Sequence, residues 1–223
     1  MKTRLVIWVT SECNLHCPYC SQRHTRTKHK GYEMPMSEVA YIVVSCIVRD
    51  IRFDCIEITG GEPSLWSNLK EGVKEFARIS DFVTLVTNGN DPDRILDLKL
   101  YTFGVSTTQA TDEQLQQYKS ADRQIFYNSY PHKRLPEEPV TDSLPAKCCV
   151  ALTPTMEPQN NIMYVRGWVY YCCNAFALSR KAGHEDGTRI PFENDFMAYF
   201  NNKVFDKQIC SYCICNQIIY NKL

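Results

Sequence analysis

The sequence predicts an α/β fold in which strands and helices alternate, followed by a small cysteine-rich extension. Two observations carry this reading. Across roughly residues 4–130, apolar runs of strand length alternate with segments of helical period, the pattern of parallel strands joined by crossover helices. After Tyr130 the composition shifts: Pro131, Pro136, Pro139 and Pro145 punctuate a polar segment, and seven of the twelve cysteines lie beyond it. Residues 1–135 are therefore read as the core, and 136–223 as a linker or covering loop plus the extension.

Taken in order, residues 4–10 read as a buried strand. A loop follows, Cys13-Asn14-Leu15-His16-Cys17-Pro18-Tyr19-Cys20, with three thiols at spacings of four and three. Such a loop can wrap three corners of a cubane iron–sulfur cluster and leave the fourth iron open, whereas a closed structural site normally takes four ligands. A zinc site borrowing a distant fourth ligand, or buried thiols, are the plainer readings. The next stretch, Arg23 to Lys30, carries four formal cations (Arg23, Arg26, Lys28, Lys30) and no acid. It reads as a solvated loop, or as a contact for an anion or nucleic acid. Ser37 is placed as the N-cap of a helix whose Val39, Ile42, Val43, Cys46 and Ile47 share one face, so Cys46 is core packing rather than a ligand.

Residues 55–59 form a second strand ending in Gly60-Gly61-Glu62-Pro63. Two glycines at a strand end let the backbone approach a ligand closely, and the carboxylate can pair with a cationic ligand group. Alone this is a common turn; its meaning comes from standing about 40 residues after the cysteine loop. Ser67 is read as capping a helix that carries Leu69, Val73, Phe76 and Ala77 inward. Residues 82–87 are a third strand ending at Asn88-Gly89, and Asp91-Pro92 starts a short helix. Residues 103–107 are a fourth strand, Thr111-x-x-Gln114 is a capping box, and 124–130 are a fifth strand. In a barrel of such units, chemistry gathers at the C-terminal ends of the strands. The cysteine loop, Gly60-Gly61-Glu62, Asn88 and Ser106 all fall there and are expected to meet in one site.

Beyond the prolines stand Cys148, Cys149, Cys172, Cys173, Cys210, Cys213 and Cys215. Residues 167–172 look like the second strand of a hairpin leading to a cysteine, and Phe192, Phe196, Tyr199 and Phe200 make one apolar helical face. Cys149, Cys172, Cys210 and Cys213 can fill four ligand positions and so describe a second, closed cluster. Zinc on the same thiolates is the alternative.

With these motifs assembled, residues 4–130 resemble the radical S-adenosylmethionine (radical SAM) superfamily, and the tail resembles its auxiliary-cluster extensions, twitch and SPASM. The resemblance implies a partial (β/α)6 barrel in which Cys13, Cys17 and Cys20 hold a [4Fe–4S] cluster whose open iron takes S-adenosylmethionine. It implies that Tyr19 lies by the adenine, that Gly60, Gly61 and Glu62 bind the methionine amino group, and that Asn88 and Ser106 offer polar contacts to ribose or carboxylate. Gly167-x4-Cys172 and Cys210-x2-Cys213 match the longer SPASM pattern, but its further cysteines are missing, so the one-cluster twitch form fits better. The implied chemistry is reductive cleavage of S-adenosylmethionine to methionine and a 5′-deoxyadenosyl radical, which abstracts a hydrogen atom. A second, auxiliary [4Fe–4S] cluster would accept an electron or position the substrate. The substrate read first is a small polar molecule of sugar, cyclitol or nucleoside type, undergoing oxidation, epimerisation or isomerisation, with flavodoxin or ferredoxin as reductant. Modification of a nucleotide, a nucleic-acid base or a ribosomal peptide is the runner-up; the peptide reading is lowered because the first strand begins by residue 5. A non-enzymatic iron–sulfur or zinc protein is the competing class, and the pairing of the Cys13 loop with Gly60-Gly61-Glu62 argues against it.

Composition bounds these readings. Equal counts of 25 basic and 25 acidic residues argue against a surface-wide field for nucleic acid or anionic membrane. The first apolar run is shorter than the apolar stretch of a signal peptide, and no stretch approaches a membrane span. A cytoplasmic location is therefore expected, where clustered cysteines bind metal rather than cross-link.

Overall fold

The computed structural model describes residues 2–17, 20, 26–27, 29–98, 102–106, 110–121, 124–128, 159–170 and 189–197. The elements, in order, are β1 (Lys2–Trp8), α1 (Met36–Val48), β2 (Cys55–Thr59), α2 (Leu69–Phe76), β3 (Val83–Thr87), α3 (Pro92–Leu96), β4 (Thr102–Ser106), α4 (Asp112–Ser120), β5 (Gln124–Asn128), β6 (Gln159–Val165), β7 (Trp168–Tyr170) and β8 (Arg189–Pro191). Two compact units divide the chain. One comprises Ile7–His16 and His29–Pro131; the other comprises Met1–Val6, Cys17–Lys28 and His132–Leu223.

The first unit is the α/β partial barrel that the alternation predicts. It holds β5, β4, β3 and β2, adjacent in that order, and the last two residues of β1. The pairs β2/β3, β3/β4 and β4/β5 are parallel, with Ile56 opposite Val83, Leu85 opposite Phe103 and Ser106 opposite Asn128. The strand core is apolar: Trp8, Ile56, Ile58 and Leu85 are fully buried. Trp66 is buried too, and its indole donates to the Met34 carbonyl at 2.8 Å. A Cβ at Gly72 would lie 2.1 Å from the Trp66 ring. This helix therefore carries a glycine, despite the usual cost, because the indole occupies the side-chain position.

Two caps are as read. Asp91 accepts from the Arg94 amide ahead of Pro92, and Thr111 and Gln114 form the reciprocal capping box. Two are corrected. The cap of α1 is Pro35, with Ser37 already inside the helix, and α2 is entered through Asn68 after a 3-10 turn at Pro63–Leu65. In both places another residue already supplies the extended or turning backbone one or two positions away from the serine. The buried stripe of α1 is Val39, Ile42, Val43 and Cys46, while Ile47 is 48% exposed, so the buried face is narrower than its spacing suggests. Ala77 likewise lies outside α2 and is exposed.

Cys46 is a core residue. Burial, offset in part by Arg49, pushes its thiol from 9.0 up to about 11. The unfolded thiol ionises near its ordinary value, so this contribution to stability is complete below about pH 9 and is lost as pH rises towards 11. The rise corresponds to at most about 3 kcal/mol. Urea unfolding between pH 8 and 11 should show the parent losing stability that a Cys46→Val variant keeps.

The second unit contains an antiparallel meander. β6 pairs β7 across a two-residue turn, and β7 pairs β8. Arg166 (φ 49°) and Gly167 (φ 81°) both take positive φ, the backbone of the tight hairpin turn whose twist suits antiparallel strands. Ile162, Met163, Tyr164 and Val165 are all buried; Phe192 meets Tyr164 edge-on at 5.2 Å and stacks on Phe196 at 5.0 Å. The hairpin expected before Cys172 is present, and β8 was not expected. Tyr199, Phe200, Cys148, Cys149, Cys172, Cys173, Cys210, Cys213 and Cys215 lie outside the described residues. Among the described residues, no helix is long and apolar enough to cross a membrane.

Candidate active site

The chain beyond β1 is zipped to the chain beyond β2. The Val9 amide donates to the Thr59 carbonyl at 2.9 Å, Gly61 to Thr10 at 2.7 Å, and Glu62 to Glu12 at 2.7 Å. This close run explains the glycine pair. A Cβ on Gly61 would sit 2.1 Å from the Glu12 carbonyl oxygen, and one on Gly60 would sit 2.7 Å from that of Thr10. The close approach that the glycines permit is thus to the chain's own cysteine loop. A turn that looked like a ligand cradle also fixes where Cys13 begins.

Glu62 is the hub. Its carboxylate is buried, 1% exposed, and three donors meet it. One oxygen (Oε1) accepts from the Ser64 amide at 3.0 Å and the Thr87 hydroxyl at 2.7 Å; the other (Oε2) accepts from the Asn88 amide at 2.7 Å. Thr87 is itself set by the Gly89 amide at 3.1 Å. The carboxylate therefore ties the end of β2 to the end of β3. A Glu62→Gln variant keeps one acceptor oxygen and must turn an NH2 group towards a donor on one side. It should lose about 2 kcal/mol of stability, read as a lower urea midpoint.

Asn88 has its side chain engaged at both ends. Its amide NH2 donates to Asn14 Oδ1 at 2.7 Å, and its own oxygen accepts from the Asn90 amide at 3.0 Å. Gln114 on α4 then donates to the Asn90 carbonyl at 3.0 Å. Near this network two fully buried hydroxyls, those of Ser64 and Tyr118, have no hydrogen-bond partner among the described residues. Burial first, then the charges of Glu62, Asp91 and Asp93, hold the Tyr118 phenol well above its ordinary range.

The three thiols of the loop are partly buried and free of disulfides. Cys13 Sγ accepts from the Leu15 amide at 3.4 Å. In the other unit, the Cys20 amide donates to the Cys17 carbonyl at 3.2 Å, closing a turn. Burial, then the neighbouring Cys20, raise the Cys17 thiol above 9.0, against its own backbone amide and Arg26. Forming the thiolate there costs extra until a metal takes the proton's place. Among the described residues, no three His, Cys, Asp or Glu side chains are gathered to hold a single metal ion. Ser106 ends β4 opposite Asn128 of β5, and Tyr19 lies outside the described residues. Sequence reasoning missed Asn14, Thr87 and Ser64. Asn14 and Asn88 are 74 residues apart, and only the parallel register brings them together.

Residues 8–127 match the Radical SAM superfamily. The GTP 3′,8-cyclase of Clostridium perfringens is 31% identical over 88 residues, 38% of this chain and 27% of that protein. A putative glycyl-radical enzyme activating enzyme of Methanocaldococcus jannaschii is 33% identical over 90 residues, 39% of this chain and 34% of that protein. The matched segments thus span about a quarter to a third of these relatives. The structure of BtrN in complex with AdoMet and 2-DOIA superposes with a TM-score of 0.61 at 18% identity, covering 95% of this chain and 88% of BtrN.

Proposed function

The chain belongs to the Radical SAM superfamily, and from that premise we propose that it cleaves S-adenosylmethionine at the Cys13 loop and oxidises or rearranges a small polar substrate. The family implies an enzyme with a [4Fe–4S] cluster and S-adenosylmethionine; together they supply an electron and a 5′-deoxyadenosyl radical that takes a hydrogen atom from a substrate C–H bond. Cys13, Cys17 and Cys20 are the proposed cluster ligands, and the donor set suits them: three thiols within eight residues, none in a disulfide.

The observation that carries the proposal is the buried Glu62 carboxylate, fixed between two strand ends and tied to the backbone that leads into Cys13. In that place it orients the methionine end of the cofactor through its charge, with Gly60 and Gly61 setting the loop. The orphaned Ser64 hydroxyl beside it suits a polar ligand. Asn88 has one further donor and one further acceptor capacity for ribose or carboxylate. Tyr19 by the adenine, Ser106 at the end of β4, and an auxiliary [4Fe–4S] cluster on Cys149, Cys172, Cys210 and Cys213 complete the proposal.

A substrate of sugar, cyclitol or nucleoside type is favoured by the likeness over most of both chains to BtrN, whose complex holds AdoMet and a second ligand. A nucleotide is the second reading, favoured by the GTP 3′,8-cyclases among the relatives. Anaerobically reconstituted, reduced protein should release 5′-deoxyadenosine and methionine from S-adenosylmethionine. Failure of a fully loaded sample to release either, with GTP or a cyclitol present, would overturn the proposal.

A further inference from the structure

Asn14 stands inside the cysteine loop but has no part in the reading so far. Its neighbour Cys13 accepts a hydrogen bond from Leu15, so the backbone from 13 to 15 closes over Asn14. From that apex the side chain reaches Asn88 at 2.7 Å. Asn88 is fixed on two further sides. Its amide donates to Glu62 at 2.7 Å, and its side-chain oxygen accepts from Asn90 at 3.0 Å. A backbone tie between the two loops, the Glu62 amide to the Glu12 carbonyl, stands one residue before the cysteine. The Asn14–Asn88 bond carries the connection past it.

We propose that Asn14 is a positioning residue: held by Asn88, it fixes the separation between the Cys13 thiol, which would hold the cluster, and the Glu62 carboxylate, which would orient the methionine end of S-adenosylmethionine beside that cluster. The inference rests on the proposed reading of Glu62 and Cys13. A cofactor held between two groups is bound most tightly when those groups are already spaced for it; a loop free to swing must be ordered at binding. Asn14 is exposed, so water competes for its bond and the expected effect is modest.

Asn14→Ala removes the acceptor; Asn14→Asp keeps an oxygen that Asn88 can reach. Two readouts separate the outcomes. The first is hydrogen exchange of the Leu15 amide in reconstituted protein without S-adenosylmethionine, and the second is the S-adenosylmethionine concentration that half-saturates the change in the reduced cluster's electron paramagnetic resonance spectrum. Asn14→Ala should speed Leu15 exchange and raise half-saturation about fivefold at unchanged iron content, and Asn14→Asp should recover most of both. Unchanged exchange in Asn14→Ala would overturn the inference. So would faster exchange with unchanged half-saturation, which would leave the bond merely structural. If the parent spectrum ignores S-adenosylmethionine, the reading of the site fails instead, and faster exchange in Asn14→Ala would still support Asn14 as the tie that holds Cys13.

Discussion

Anaerobically reconstituted protein is expected to carry about eight irons with matching sulfide, and a Cys13→Ala/Cys17→Ala/Cys20→Ala variant about four. The triple substitution removes one set of soft ligands and leaves the C-terminal cysteines untouched, so the residual iron reports on them alone. The same variant should form no 5′-deoxyadenosine, a loss of at least about a thousandfold, since the proposed electron path into the cofactor is gone. Four irons in the parent and none in the variant would make the tail a zinc or thiol site. That result would remove an electron acceptor for the substrate radical and favour a redox-neutral rearrangement. Zinc measured in the same samples completes the test.

Gly61→Ala should be strongly damaging to both stability and the site. Its new methyl would fall 2.1 Å from the Glu12 carbonyl oxygen, a backbone atom that cannot rotate away. Either the β2 turn or the cysteine loop must shift, and the Gly61–Thr10 and Glu62–Glu12 hydrogen bonds lie on the path of that shift. Overpacking of this kind costs about 1–3 kcal/mol, and each lost hydrogen bond adds about 1. The urea midpoint should fall accordingly, and S-adenosylmethionine turnover should be lost even in samples that retain iron. Gly60→Ala, with its contact at 2.7 Å, should be the milder neighbour. Equal stability of Gly61→Ala and parent would mean that the two loops are not packed as described.

Local chemistry was legible in the sequence, and long-range chemistry was not. The caps at Asp91 and Thr111 read correctly because donor and acceptor lie within one turn. The first five strands read to within two residues because apolar runs of strand length mark them, whereas the short β8 was not expected. Ser37 and Ser67 misled because a serine near a helix start is ambiguous by one or two residues when Pro35 or Asn68 already sets the turn. Ile47 misled because helical spacing marks a stripe but not the width that the neighbouring element covers. Glu62 stood out in the sequence, whereas its three donors did not, since two come from β3 and the residue after it, 25 and 26 positions on. Gly60 and Gly61 were noticed for the right reason, close approach, but the approaching group is the chain's own backbone.

The interleaving of the two units sets a timetable for biosynthesis. Cys17 and Cys20 belong to a unit that is completed only by His132–Leu223, whereas Cys13 belongs to the one that ends at Pro131. A ribosome that has delivered the first 131 residues has made every strand of the partial barrel, yet the stretch bearing two of the three thiols still awaits the rest of its unit. Contacts that far apart in sequence form late and slowly. Iron delivered before residues 132–223 are made would meet Cys17 and Cys20 without the rest of their unit. A nascent chain stalled at residue 131 should accordingly fail to retain iron that a chain carrying residues 132–223 keeps.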